Sequence, residues 1–252
     1  MNKLKDSVNS SQSLSDALKE NGASHKNYKF YTSMEQALDF LRSGYLYLSN
    51  GSNWNDNRDK EDMMAKKAFA KCFTWSTREN VAMWMLYGAG NGSKGAMLNF
   101  YPSTIKEILG SKSIELGKFK NGKFLSAHTI SSSDDFEIFL TDMLYIEKCK
   151  NHTVKITCGD EHVTADVQLI NYPDIFHKTY PWSYERECRL VVKLSKEWQE
   201  ICERDNLNSI RITISDRMLR RLKDGLIRSP IYSGNVDDGV PSQLTGEVNW
   251  SF

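Results

Sequence analysis

Residues 182–192 read Trp-Ser-Tyr-Glu-Arg-Glu-Cys-Arg-Leu-Val-Val. Two carboxylates, Glu185 and Glu187, stand two positions apart and are followed at the same interval by Arg189. If this stretch is one strand, period-two alternation puts Ser183, Glu185, Glu187, Arg189 and Val191 on one face. Trp182, Tyr184, Arg186, Cys188, Leu190 and Val192 take the other. Ionised groups on a strand that runs into Leu-Val-Val are costly to bury unless paired, so the pattern marks them as a candidate site. A carboxylate pair of this kind suits chemistry at a sugar. One oxygen pair accepts from a ribose hydroxyl and stabilises an oxocarbenium-like transition state, while the other orients or deprotonates an acceptor. Trp182, Tyr184 and Tyr31 are the aromatic rings available to stack on a nicotinamide or adenine.

Other chemistries leave weaker traces. Gly88-Ala89-Gly90-Asn91-Gly92 follows an expected helix instead of opening one, so it is not a Walker or dinucleotide phosphate loop. No Gly-x-Ser-x-Gly elbow occurs. The histidines, at 25, 128, 152, 162 and 177, have no metal-ligand spacing, and the cysteines, at 72, 149, 158, 188 and 202, form no Cys-x-x-Cys pair. The expectation is therefore reduced thiols, no metal and a cytoplasmic protein. A metal-dependent nuclease would have to draw on Asp56, Asp174, Glu185 and Glu187 for Mg²⁺, and a catalytically silent interaction module is the third reading.

Net charge is +1 over 252 residues, so no global field points to nucleic acid or a membrane. Locally, Arg211, Arg217, Arg220, Arg221, Lys223 and Arg228 crowd together, either as a solvated helix face or as a phosphate-binding patch. No apolar run is long enough to cross a bilayer.

The elements that must position these residues can be read from pattern. Residues 1–26 form a polar arm, expected to be loosely held, with Leu14, Ala17 and Leu18 as one short helical stripe. Residues 27–252 read as a single domain. A strand at Tyr28–Tyr31 leads to a helix capped by Thr32 or Ser33 and ended by Gly44. A strand at Tyr45–Ser49 follows, then a polar loop from Asn50 to Asp62 and a short helix from Met63 to Ala70. Further strands are expected at 71–76, 94–100, 142–148, 153–157 and 209–214. Helices are expected at 81–87, 104–109, 163–170 and, capped by Ser215, up to Lys223. Both types intermix without regular alternation, which predicts an α+β fold with a mixed or mostly antiparallel sheet.

An ordered set of motifs then resembles a bacterial domain-of-unknown-function family associated with phage defence. The set runs from Tyr31-Thr32-Ser33 through Gly44–Ser49, Asn55-Asp56, Cys72-Phe73-Thr74, Met83-Trp84 with Tyr87, and Gly95–Phe100. It ends with Lys178, Trp182, Tyr184-Glu185-Arg186-Glu187 and Arg189, covering roughly residues 28–228. That layout is similar to the ADP-ribosyltransferase fold, with a split β-sheet core and flanking helices. The resemblance implies NAD as the substrate, Glu187 as the catalytic glutamate on the nicotinamide ribose, and Glu185 as the upstream acidic residue that selects the acceptor. Tyr31, Thr32, Ser49, Trp182, Tyr184 and Arg189 are then the nucleotide-binding candidates, with Thr74 an alternative to Ser49. It further implies a toxin or antiviral-defence effector, an RNA, DNA or protein acceptor, and an antitoxin partner. The chain departs from the pattern at Phe30, where a ribose-holding histidine would precede Tyr31-Thr32, with Lys29 adjacent. Asn57 stands where the family tends to have proline.

Overall fold

The computed structural model describes residues 6–7, 11–52, 54, 56–88, 94–149, 153–166, 175–231 and 239–245. In chain order the elements begin with α1 (Ser11–Ser24), β1 (Tyr28–Ser33), α2 (Met34–Ser43), β2 (Tyr45–Ser49), α3 (Asn57–Lys66) and β3 (Ala68–Thr74). Next come one α-turn, α4 (Val81–Met83), continued as a π-helix over Trp84–Gly88, then β4 (Gly95–Phe100) and α5 (Pro102–Leu109). Six strands follow: β5 (Ile114–Lys120), β6 (Lys123–Ile130), β7 (Phe136–Asp142), β8 (Leu144–Lys148), β9 (Thr153–Cys158) and β10 (Glu161–Asp166). β11 (His177–Thr179), a 3₁₀ helix (Tyr180–Glu185), β12 (Glu187–Leu194) and α6 (Lys196–Asp205) come next. The described chain closes with β13 (Ser209–Thr213), α7 (Asp216–Asp224), β14 (Ile227–Arg228) and β15 (Val240–Pro241). The class is α+β. Pairing is mostly antiparallel, with parallel exceptions at β11–β8 and β14–β15. No helix among the described residues is long and apolar enough to cross a membrane.

Two compact units interleave along the chain. The first comprises Met1–His25, Tyr47–Cys72 and Gly110–Arg211; the second comprises Lys26–Leu46, Phe73–Leu109 and Ile212–Phe252.

In the first unit β12 pairs antiparallel with β7, from Cys188↔Asp142 to Leu194↔Phe136, and also pairs with β3. β5 and β6 form a hairpin whose turn residues, Asn121 and Gly122, both take positive φ (52° and 74°), the backbone a two-residue turn of that hand requires. A separate sheet runs β10-β9-β8-β11. Helix α1 covers it: Leu14 and Leu18 are buried with Leu144, Ile146, Ile156 and Ile175. The N-terminal stripe is therefore core, and the arm over Ser11–Ser24 is packed instead of loosely held. Burying Leu14 and Leu18 supplies the driving force, since side chains four apart share one face.

The second unit is built on β1, which pairs with β4 along its whole length and with β3 at Lys29↔Thr74. Ser33 caps α2 by accepting from the Gln36 amide at 3.2 Å, and Gly44 ends the helix in the left-handed region (φ 72°). Tyr31, Met83, Trp84 and Met97 form its apolar centre, with Ile227 and Leu244 packed against it.

Three more expectations change. The loop expected from Asn50 to Asp62 and the helix expected from Met63 to Ala70 are replaced by α3, which runs from Asn57 to Lys66, with Ala68–Ala70 already in β3. Asp56 caps it, Oδ1 accepting from the Arg58 and Asp59 amides at 2.9 and 3.2 Å. This helix has no apolar stripe to reveal it; it is polar because it carries a charged side chain inward. Glu161–Asp166 is a strand paired with β9 rather than the start of a helix, because the turn at Gly159 (φ 59°) folds it back onto its neighbour; residues 167–170 lie outside the described residues. The third change concerns the motif at 182–192.

Candidate functional site: a buried carboxylate and cation cluster

The strand expected from Trp182 starts only at Glu187. Before it, Tyr180–Glu185 winds as a 3₁₀ helix with Pro181 in its first turn, and Arg186 takes a left-handed conformation (φ 44°). Proline favours such a turn because its fixed φ is already helical and it has no N–H to donate. Glu185 is therefore not on a strand face. It reaches Glu187 through a cation instead. Lys178 Nζ lies 2.7 Å from Glu185 Oε2, 2.6 Å from Glu187 Oε2 and 3.5 Å from Asp59 Oδ2.

The period-two reading holds from Glu187 onward. Arg189 Nε donates to Glu187 Oε1 at 2.5 Å, and its Nη2 donates to both oxygens of Asp59 at 2.7 Å. The cluster is deeply placed: Arg189 is 0% exposed, Glu185 2%, Glu187 4% and Asp59 5%. The members come from four local devices. Asp59 sits in the first turn of α3, three residues after the Asp56 cap. Lys178 is the middle residue of β11, Glu185 ends the 3₁₀ helix, and Glu187 and Arg189 begin β12. Tyr145 on β8 closes the base, its hydroxyl accepting from the Glu187 amide at 2.8 Å.

Electrostatics follow from this packing. Burial disfavours the Glu187 carboxylate, but Arg189 and Lys178 outweigh it and hold the acid well below its ordinary range. Burial likewise opposes the Lys178 ammonium, and Glu187 and Glu185 more than restore it. For Asp59 burial prevails over Arg189, shifting that acid upward. Burial, then Glu187, pushes the Tyr145 phenol well up. Three carboxylates face two cations, so the cluster carries one formal negative charge in excess.

Aromatic rings border it. The Arg189 guanidinium carbon is 4.8 Å from the Trp54 ring centroid and 5.4 Å from that of Phe176. Its Nη1 is buried without a hydrogen-bond partner among the described residues. Trp182 lies 5.8 Å from Lys178 Nζ and 6.0 Å, at a tilt of 39°, from Tyr184, which is exposed.

Of the residues singled out from sequence, Glu185, Glu187, Arg189 and Trp182 meet in this cluster, with Tyr184 beside Trp182. Ser49 ends β2 in the same unit, where its hydroxyl accepts from the Gly51 amide at 3.1 Å and shapes a turn. Tyr31 and Thr32 belong to the second unit. There the Tyr31 hydroxyl accepts from the Asn80 amide at 3.0 Å, its ring meets Trp84 edge-on, and Thr32 Oγ1 donates to Gln36 at 2.5 Å. Thr74, the alternative to Ser49, is buried in that unit. Lys29, beside the departure at Phe30, spends its ammonium on the carbonyls of Ser76 and Arg78.

Asp59, Lys178 and Tyr145 were not read as site residues. Lys178 entered only as one piece of the motif order, and Asp59, inside the stretch expected to be a loop, was not singled out. For the magnesium reading, the Lys178 ammonium fills the position between the carboxylates that a metal ion would take. Asp56 is engaged as a helix cap, and Asp174 lies outside the described residues. Gly90 and Gly92 also lie outside them. Of the basic cluster, Arg211 pairs with Glu115 at 2.8 Å and Arg221 donates to Ser103 at 3.2 Å.

Comparison of the chain with protein-family models, with curated proteins and with solved structures finds no match.

Proposed function

We propose that this chain transfers ADP-ribose from NAD to a macromolecule, with Glu187 as the carboxylate that acts on the nicotinamide ribose. The observation that carries the reading is the fixed excess of negative charge held by Asp59, Glu185 and Glu187 against Lys178 and Arg189, beside Trp182 and Tyr184. Positive charge develops on the ribose as the glycosidic bond breaks, and a preorganised anionic site stabilises it. In the reaction the C1′–N bond breaks and its electron pair neutralises the pyridinium, which leaves as nicotinamide. An acceptor nucleophile bonds to C1′ and gives up its proton. Glu185, on the same lysine as Glu187, is the group that orients that acceptor. The motif order further supports an ADP-ribosyltransferase-like split sheet, a toxin or defence role in the cytoplasm, an RNA, DNA or protein acceptor and a neutralising antitoxin.

Incubation with NAD labelled in its adenylate half, together with separate pools of RNA, DNA and protein, tests the reading. Label enters one pool with release of nicotinamide, and both are lost in Glu187→Gln and reduced in the exposed-ring variant Tyr184→Ala. Absence of both label and nicotinamide in every pool overturns it.

The near-complete burial of Glu187 favours a second reading, a catalytically silent interaction module in which the same cluster only fixes the fold. On that reading Glu187→Gln lowers stability and leaves partner binding intact.

A further inference from the structure

We infer that His25, Asp142, Cys188 and Cys158 form a binding site for a zinc-class divalent transition-metal ion. These residues are far apart in sequence and show no ligand spacing; sheet register and helix docking bring them together in the first unit. Cys188 on β12 is the direct cross-strand partner of Asp142 on β7. His25 follows the last residue of α1, and its Nε2 lies 2.7 Å from Asp142 Oδ1. Donor atoms of His25, Asp142 and Cys188 all fall within 4.8 Å of one another. Cys158, at the end of β9, adds a second sulfur 3.7 Å from Asp142 Oδ2. The helix is held tightly here, since a Cβ on Gly22 would come within 3.0 Å of the Thr141 backbone on β7, and the Cys188 thiol lies 3.7 Å from the Gly22 carbonyl.

The donor set decides the ion. Imidazole and thiolate with one carboxylate suit a borderline-soft ion and not Mg²⁺ or Ca²⁺, which take oxygen shells. Ligands about 2.0–2.3 Å from zinc stand roughly 3.3–3.8 Å apart in a tetrahedron. His25, Asp142 and Cys188, whose donors fall within 4.8 Å of one another, have to draw together by about an ångström to match that, and Cys158, close to Asp142 alone, has to swing its sulfur in as the fourth ligand. Asp142 and both thiols are buried, whereas His25 is 15% exposed and forms the open side. On binding, each coordinating thiol gives a proton to the buffer, the Nε2 lone pair of His25 turns to the metal with its proton on Nδ1, and the direct His25–Asp142 hydrogen bond is replaced by two bonds to the ion. The ion would tie the end of α1 to three strands, a staple independent of the Lys178 cluster and of any activity toward NAD.

The test is titration of the reduced, chelator-treated full chain with Co²⁺, followed by Zn²⁺. One equivalent of Co²⁺ produces a thiolate-to-cobalt charge-transfer band and intense tetrahedral d–d absorption, and Zn²⁺ removes both. Cys188→Ser weakens the sulfur band and Cys188→Ser with Cys158→Ser loses it, while Cys149→Ser and Cys202→Ser retain it. Cys188 is fully buried, so its folding is checked by circular dichroism, and the less buried His25→Gln serves as second variant, weakening affinity about tenfold or more. Zn²⁺ also raises the melting temperature of the parent chain more than that of His25→Gln. A parent chain that gives no sulfur band at near-stoichiometric cobalt, or a band that survives unchanged in both Cys188→Ser and His25→Gln, overturns the site.

Discussion

Arg189 Nη2 stands 2.7 Å from both carboxylate oxygens of Asp59, a partner 130 positions earlier in the chain. The guanidinium has no exposure to water and also holds Glu187, so this pair joins α3 to β12 at the floor of the cluster. Removing Asp59 leaves the Nη2 of a fully buried guanidinium without its acceptors. Asp59→Ala is expected to lose roughly 3–5 kcal/mol of stability, read as a lower urea midpoint at unchanged slope. In the double variant Asp59→Leu with Arg189→Met part of that loss returns, because the desolvation cost of the pair leaves with its charges while Glu187 keeps only Lys178. A double variant as unstable as the single one would show that the ion pair itself holds the fold.

Tyr145 is the neutral counterpart of that pair. Its hydroxyl accepts from the Glu187 amide in a buried setting, and Phe would leave the N–H unmet. Tyr145→Phe is expected to cost about 1–3 kcal/mol. Amide exchange at Glu187 should accelerate with it, more than at Val191 in the same strand.

Helix α1 is expected to behave as core. Leu14 and Leu18 are each fully buried among residues of β8 and β9. Leu14→Ala or Leu18→Ala should each cost about 2–5 kcal/mol. Calorimetry that finds either change neutral would show that the N-terminal segment is a detachable arm.

Lys29 provides a pH signature in the second unit. Burial pushes its ammonium down to about 8, against the pull of Glu79. In the unfolded chain the same amine stays protonated to about 10.4. Between those values the folded state binds fewer protons, so stability from this group rises with pH across the window and the cost of burying its charge is complete below it. The difference in urea midpoint between the parent chain and Lys29→Met, measured on both sides of the window, should shift in favour of the parent as pH rises. A difference independent of pH would mean that Lys29 titrates normally.

Local pattern carried much of this molecule. Ser33, Gly44 and the stripe between them define α2, because capping and period 3.6 depend only on near neighbours. β2 and β4 followed from composition in the same way. Alternation placed Glu187 and Arg189 on one face, and they meet there. The same rule failed at Glu185: Pro181 and the left-handed Arg186 interrupt the strand, and a lysine from β11 restores the proximity that alternation had promised. α3 was missed because its inward residue is Asp59, a carboxylate whose burial makes sense only once Arg189 is beside it. The joining of His25, Asp142, Cys158 and Cys188 was equally beyond linear reading. Period and capping are properties of a few adjacent residues and can be read directly. A buried charge or a ligand set depends on strand register and helix docking between distant segments, and those arise only when the chain packs its core.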